Sequence, residues 1–159
     1  MSDFFDIQLV LKLLASVVGT VGFAVIFGVR KNHLIFAGIG GVGVYALFYT
    51  VDFFGGSLFA SAFVSSVFAA LYSEIFARVR KAPTAIFLIP SGIPIVPGGD
   101  LYYTMRYILE GNFDVATTYL LSAFKIGLGM AGGIVAVSIL WSSFIDRIIK
   151  KVFTVEQNK

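Results

Sequence analysis

The chain has 159 residues, of which 58% are hydrophobic and 13% are charged, and its net charge is +3 at pH 7. Soluble domains carry roughly 25% charged residues, so this composition, with a mean hydropathy of +0.91, predicts an integral membrane protein. The absence of cysteine excludes disulfides, thiolate metal sites and cysteine nucleophiles. Basic residues flank the apolar segments, as membrane orientation requires, so no nucleic-acid partner is expected.

Five apolar segments divide the chain, over the approximate ranges 9–29, 34–51, 58–77, 84–109 and 115–145. A helix needs about twenty apolar residues to cross a hydrocarbon core of roughly 30 Å. The acidic start MSDFFD lacks the basic region of a cleaved signal peptide. The predicted fold is therefore an all-α membrane protein, with a single transmembrane domain of five helices over residues 1–159.

The distribution of lysine and arginine predicts the orientation. Positive charges lie in the first and third connections and after the last segment, whereas VDFFGGS and EGNFD contain none. Since basic connections stay in the cytoplasm, five crossings place the N-terminus outside and the C-terminus inside. Four crossings would leave the basic C-terminus outside. The basic residues concerned are Arg30, Lys31, Arg78, Arg80, Lys81, Arg147, Lys150, Lys151 and Lys159.

The fourth segment is predicted to be discontinuous. It contains FLIPSGIPIVPGGD at residues 87–100, in which Pro90, Pro94 and Pro97 interrupt an apolar run. Proline lacks a backbone donor and clashes with the preceding helical turn, but it is favoured in a first turn. One helix should therefore end in this stretch and a second should begin near Pro97.

The start of that second helix is predicted to bind the substrate. Irregular backbone at membrane depth is tolerated only where it is buried in protein or lines a cavity. Free backbone N–H groups at Gly98 and Gly99 would attract an anionic group, and Asp100 follows directly. We interpret the stretch as a site rather than as a kinked structural helix. The predicted substrate-binding residues are Pro94, Pro97, Gly98, Gly99, Asp100 and Tyr102.

Ionisable residues within the segments supply candidate coupling or gating groups. Glu74 and Arg78 are four residues apart, as are Arg106 and Glu110, so each pair can form an ion pair on one helix. For the first pair a gate and a structural pair are equally open, whereas the second favours a structural pair. Lys12 and Lys125 are expected to extend their amines towards the membrane surface.

Glycines within the segments predict close helix packing. Gly38, Gly40 and Gly43 match G-x-G-x-x-G, but they lie inside a spanning helix instead of following a strand. Small residues let helices approach closely in lipid. The same interpretation applies to the glycines of the first and last segments, which are Gly19, Gly22, Gly129 and Gly133.

No catalytic, metal-binding or cofactor-binding constellation is predicted. His33 is the only histidine, and beside Arg30 and Lys31 it is expected to be solvated. Since no P-loop motif occurs, transport would have to use an ion gradient or another subunit. The chain is therefore not expected to be an enzyme.

The run SEIFARVRKAP and the later IPSGIPIVPGGDLYYTM resemble the threonine/serine exporter family, in particular its small, YjjB-type membrane subunits. The matching positions are Glu74, Ala77, Arg78, Pro83, Pro94, Pro97, Gly98 and Tyr102. Asp100 has no match, so its role rests on the local pattern alone.

This resemblance implies a subunit of a gradient-driven exporter in the bacterial inner membrane. Its partner would be a larger membrane subunit with five more spans and a cytoplasmic N-terminal domain, although a homo-oligomer is the alternative. The implied substrates are threonine and serine. Export of a dicarboxylate such as succinate, and a non-transporting assembly role, stay open as alternatives.

Overall fold

The structure, a computed structural model, describes the backbone of residues 7–157 and the side chains of residues 9–143. Within the described backbone the chain is helical, and no strand occurs there, so the all-α prediction is confirmed for these residues. The helices are α1 (Ile7–Ile26), α2 (Lys31–Phe53), α3 (Leu58–Arg80), α4 (Ala85–Gly92), a 3₁₀ turn (Ile93–Ile95), α5 (Gly98–Leu109) and α6 (Phe113–Gln157).

Four helices in this part of the chain are long and apolar enough to cross a membrane. They cover Leu9–Ile26, Lys31–Phe53, Leu58–Arg80 and Phe113–Ser143. The fourth predicted segment is a bent pair, Ala85–Ile95 and Gly98–Leu109, whose halves meet at 48°. The break is confirmed, but its passage through the membrane as one span, which would be the fifth, stays a prediction.

Helices α3 and α6 pack through glycines, as their spacing predicts. A Cβ atom at Gly129 would lie 2.6 Å from the Phe59 carbonyl oxygen, and one at Gly133 would lie 2.6 Å from that of Phe63. Side chains at these positions would therefore overlap the α3 backbone. We call this contact the α3–α6 seam, and it follows the small-residue packing of membrane helices.

The glycines of α2 also pack closely, but those of α1 do not. A Cβ atom at Gly40 would lie 2.8 Å from the Tyr72 ring, and one at Gly43 would lie 2.7 Å from the Phe68 ring. A Cβ atom at Gly38 would lie 3.2 Å from the Val21 side chain. The packing prediction is confirmed at these three positions. It is wrong for the two α1 glycines, Gly19 and Gly22, because a Cβ atom there would meet nothing within 4 Å.

The first and third connections lie at the same end of the bundle. The Arg80 guanidinium donates from Nη2 to the Asn32 carbonyl oxygen at 3.1 Å and covers the Phe36 ring at 4.7 Å. The basic residues of both connections therefore gather at this end. The acidic residues at 3 and 6, and the basic side chains at 147, 150, 151 and 159, lie outside the described residues.

The prediction that His33 is solvated holds only in part, because His33 is half-buried. Its ring meets the fully buried Phe87 edge-on, with ring centroids 5.6 Å apart. Its Nδ1 atom is buried and has no hydrogen-bond partner among the described residues. The aromatic contact places the imidazole between α2 and α4 instead of in the connection that precedes it.

Candidate substrate site

The break between α4 and α5 occupies residues 93–97. Helix α4 passes into the 3₁₀ turn, where the Val96 N–H donates to the Ile93 carbonyl at 3.1 Å. Val96 then adopts an extended conformation, with φ −62° and ψ 128°, which turns the chain. Helix α5 begins after Pro97, which occupies its N-cap position, so the predicted helix start is confirmed.

The prediction that Gly98 offers a free N–H group is wrong. Its amide donates to the Val96 carbonyl at 2.7 Å, because the turn folds back tightly on itself. Asp100 lies in the first turn of α5, where a carboxylate complements the positive end of the helix dipole. A second anion is therefore less favoured here than the sequence predicted, and a cationic group is more favoured.

The first turn of α5 faces away from the rest of the chain. A Cβ atom at Gly98 or Gly99 would meet nothing within 4 Å. Tyr102 is 64% exposed, and the Asp100 carboxylate has no hydrogen bond or ion pair with any described residue. We call Gly98, Gly99 and Asp100 the α5 first turn. Among residues 9–143, these three residues line neither of the cavities that border the break.

Helix α5 is attached to the bundle mainly through α6. The Tyr119 ring stacks on Tyr103 with centroids 5.2 Å apart and on Tyr107 with centroids 5.7 Å apart. These aromatic pairs hold one face of α5, and the face that carries Tyr102 is left open.

A cavity of about 260 Å³ lies on one side of the break, and we call it the Pro94 cavity. Its lining comes from α1, α2 and the 3₁₀ turn. The lining residues are Lys12, Ala15, Ser16, Tyr45 and Pro94. An amine and two hydroxyl groups thus border a small opening beside the irregular backbone.

A second cavity, of about 300 Å³, lies between α5 and α6, and we call it the Pro97 cavity. Its lining residues are Pro97, Leu101, Leu120, Ala123, Phe124, Gly127 and Leu128. These residues bring no polar side chain to it. Pro94 and Pro97, which the sequence assigned to one site, therefore lie on different cavities, and polar side chains line only the Pro94 cavity among the described residues.

Both predicted ion pairs form. Arg78 Nη1 lies 2.6 Å from Glu74 Oε2, and the guanidinium also covers the Trp141 ring at 4.6 Å, so it connects α3 to α6. Arg106 Nε lies 2.8 Å from Glu110 Oε1 on the open surface of α5. The first pair therefore contacts a second helix. In the second pair, Arg106 contacts only residues of α5, namely Glu110 and the Tyr107 ring, among the interactions that the structure describes.

Lys12 and Tyr45 were not among the predicted site residues. Lys12 carried a usable signal, because a basic residue inside an apolar segment is a candidate functional group. It was assigned instead to the membrane surface. Tyr45 gave no such signal, since only the packing of α1, α2 and the 3₁₀ turn brings it to the break.

The long apolar helices define a multi-pass helical membrane protein. The family model described as "Threonine/Serine exporter, ThrE" matches residues 12–140, and the chain belongs to that family. It is thus a membrane protein of the threonine/serine exporter type, which confirms the family resemblance and implies transport rather than enzymatic turnover. The likeness to the small YjjB-type subunits stays a prediction. Neither the curated proteins nor the solved structures contain a match.

Proposed function

We propose that the chain is the small membrane subunit of a gradient-driven exporter of threonine and serine that works with a larger partner subunit. The observation that carries this proposal is the break at residues 93–97, because discontinuous helices form the binding sites of many secondary transporters. Family membership supports the substrate class. The proposed substrate-binding residues are Pro94, Pro97, Gly98, Gly99, Asp100 and Tyr102.

The proposed location is the bacterial inner membrane, in which residues 1–159 form one transmembrane domain with five crossings. In this arrangement the bent pair crosses once, the N-terminus lies outside and the C-terminus is cytoplasmic. The contact between Arg80 and Asn32 supports this orientation, because it gathers the basic residues of two connections at one end.

The outward direction of the α5 first turn supports a partner chain. Gly98 and Gly99 expose the first residues of α5 there, and Asp100 brings a carboxyl group that has no hydrogen bond or ion pair with a described residue. Both are costly in contact with lipid, whereas a second protein surface or a cavity between two chains removes the cost. The larger subunit with a cytoplasmic N-terminal domain is the proposed occupant, and a second copy of this chain is the alternative.

Asp100 favours an amino-acid substrate, whose ammonium group can pair with the carboxylate. A dicarboxylate such as succinate would need a second cation, for which Arg106 or Lys125 is the candidate. The Arg106 Nε atom already donates to Glu110, and Lys125 lines neither the Pro94 cavity nor the Pro97 cavity. Succinate is therefore the second candidate substrate.

We assign different roles to the two ion pairs. Glu74 and Arg78 are the proposed coupling or gating pair, because the contact of Arg78 with the Trp141 ring lets a change in the pair act on α6. Arg106 and Glu110 contact no second helix through their ion pair, so a local structural role fits them better.

The test uses inverted membrane vesicles from the native host, with the chain deleted or restored, so that any partner is present. Restoring the chain should restore uptake of labelled threonine or serine when a proton gradient is imposed. Succinate uptake without threonine or serine uptake would move the assignment to the dicarboxylate class. No uptake of any of the three would contradict the transport proposal.

Asp100→Asn separates transport from assembly in the same vesicles. The variant should form the complex at the parent level, because asparagine keeps the size of the side chain and the carboxylate has no hydrogen bond or ion pair with a described residue of this chain. Its transport should fall roughly tenfold or more, as the loss of a charge-assisted hydrogen bond implies. Parent-level transport in the assembled variant would support a non-transporting assembly role for this region.

A further inference from the structure

The Pro94 cavity carries an inference that rests on the proposed function and adds a site to it. We propose that Lys12 and Tyr45 bind the carboxylate group of the transported substrate beside the 3₁₀ turn. The two residues come from different helices, and both line the same opening as Pro94. Neither residue belongs to the site predicted at the α5 first turn.

The position of Lys12 argues against a purely superficial role. Helix α1 begins at Ile7, so Lys12 lies more than one turn inside an apolar helix. Lys12 is itself exposed, as are Leu11 and Leu14 on either side of it, so its side chain starts from a surface of α1 that would face lipid. An ammonium group at such a position is costly unless it reaches a polar partner or a cavity. The Pro94 cavity is the opening that Lys12 lines.

The ammonium group has no counter-ion among the side chains that the structure describes. Among residues 9–143 no carboxylate forms an ion pair with Lys12, whereas Arg78 and Arg106 each have one. An unneutralised cation beside irregular backbone attracts an anionic ligand more strongly than it would in water, because the surroundings are less polar. The anion that we assign to Lys12 is the carboxylate group that every amino-acid substrate carries.

The other polar groups of the cavity suit the same ligand. A carboxylate only accepts hydrogen bonds, and the Tyr45 hydroxyl can donate one because it has no hydrogen bond to another described residue. The Ser16 hydroxyl already donates to the Leu13 carbonyl at 2.7 Å, so it cannot serve as a second donor. Lys12 and Tyr45 therefore form a donor pair from two helices.

The size and charge of the cavity restrict the ligand. A volume of about 260 Å³ lies below the usual range for drug-sized ligands, roughly 300–1,000 Å³, and suits a small molecule. Of the described residues one cation lines it, which suits one carboxylate. Threonine and serine carry one carboxylate each, whereas succinate would bring a second that no described cation of this cavity could pair with.

The test compares Lys12→Met, Lys12→Arg and Tyr45→Phe with the parent complex, purified through a tag on this chain and reconstituted in vesicles. Lys31→Met is the matched control, since Lys31 is exposed at the start of α2 and does not line the cavity. The measurements are the KM for threonine and serine and inhibition by threoninol, which replaces the carboxylate of threonine with an alcohol.

Lys12→Met should raise the KM roughly tenfold to a hundredfold, and it should remove the preference for threonine over threoninol. Lys12→Arg should recover most of the loss, and Tyr45→Phe should show a smaller increase in KM. An assembled Lys12→Met complex that keeps the parent KM and still prefers threonine would overturn the proposal. If Lys12→Met fails to assemble, unchanged KM and preference in Tyr45→Phe would overturn it instead.

A lipid headgroup and a dicarboxylate are the two other ligands that Lys12 could bind, and each has its own comparison. If the effect of Lys12→Met appears only in vesicles that contain an anionic lipid, then Lys12 binds a headgroup and the proposal is overturned. If the parent complex transports succinate but neither amino acid, the proposed function fails. An increased KM for succinate in Lys12→Met would then still support the carboxylate site, and an unchanged one would overturn it.

Discussion

Glycine has opposite surroundings in the α3–α6 seam and in the α5 first turn. In the seam, Cβ atoms at Gly129 and Gly133 would overlap backbone oxygens of α3, so the absence of a side chain allows two helices to touch. In the α5 first turn, Cβ atoms at Gly98 and Gly99 would meet nothing. The first pair therefore serves the packing of this chain, and the second leaves backbone accessible to something outside it.

The largest effect is expected in the seam. Gly129→Leu would force a side chain into the Phe59 carbonyl oxygen, and overpacking costs about 1–3 kcal/mol or more even where only side chains must move. Assembled protein should fall at least roughly tenfold. Size-exclusion chromatography of the detergent-solubilised protein measures it.

Gly127→Leu is the matched control, because a Cβ atom at Gly127, two residues before Gly129, meets nothing within 4 Å. This variant should assemble at the parent level. Equal losses in the two variants would mean that any large side chain in this part of α6 lowers assembly. The two kinds of glycine would then not differ in their effect.

The second prediction concerns Gly98→Leu in the α5 first turn. The added side chain has free space, so the thermal midpoint of the isolated chain should stay at the parent value. Transport by the complex should fall roughly tenfold to more than a hundredfold, because bulk here keeps a substrate or partner from the backbone and from Asp100.

Gly40→Leu provides the contrasting case for Gly98→Leu. Its Cβ atom would lie 2.8 Å from the Tyr72 ring and 3.1 Å from the Ser91 Cβ atom, so assembly should be lost before transport can be measured. An assembled Gly98→Leu complex that transports at the parent rate would remove the α5 first turn from the binding site.

Local spacing and apolar length predicted much of this architecture. The seam followed from the four-residue spacing of Gly129 and Gly133, and both ion pairs followed from the same spacing between opposite charges. The break followed from the prolines of the fourth segment, because proline ends helices through its own covalent geometry. Each of these features depends on neighbours within one or two helical turns.

The features that the sequence did not predict depend on contacts between distant segments. The outward direction of Gly98 results from the 48° bend and from the stacking of α5 on Tyr119. The meeting of Lys12, Tyr45 and Pro94 requires three elements to pack together. Gly19 failed as a packing glycine because its side of α1 is not covered by a helix near enough to contact a Cβ atom.

A smaller effect is expected for Arg78, which connects α3 to α6 through its contact with the Trp141 ring. Arg78→Gln removes the ion pair with Glu74 and the contact with the Trp141 ring. Because the Arg78 side chain is 47% exposed, about 0.5–1 kcal/mol is the expected loss of stability. The measurement is the thermal midpoint of the solubilised chain, and a gating role would add a change in transport rate beyond this shift. An unchanged midpoint would mean that the Trp141 contact adds nothing to the seam.

The smallest effect is expected for the corresponding ion pair on α5. Arg106→Gln breaks a pair whose two side chains are 52% and 48% exposed, and such pairs contribute little because solvent and side-chain entropy offset the attraction. The thermal midpoint of the isolated chain should therefore stay at the parent value, in contrast to Arg78→Gln. Glu110→Gln is the matched control, since it breaks the same pair from the other side and should behave identically. If Arg106→Gln loses the complex with the partner and Glu110→Gln does not, then Arg106 contacts another chain. The proposed interface would in that case run along the open face of α5, from the first turn of this helix to the last.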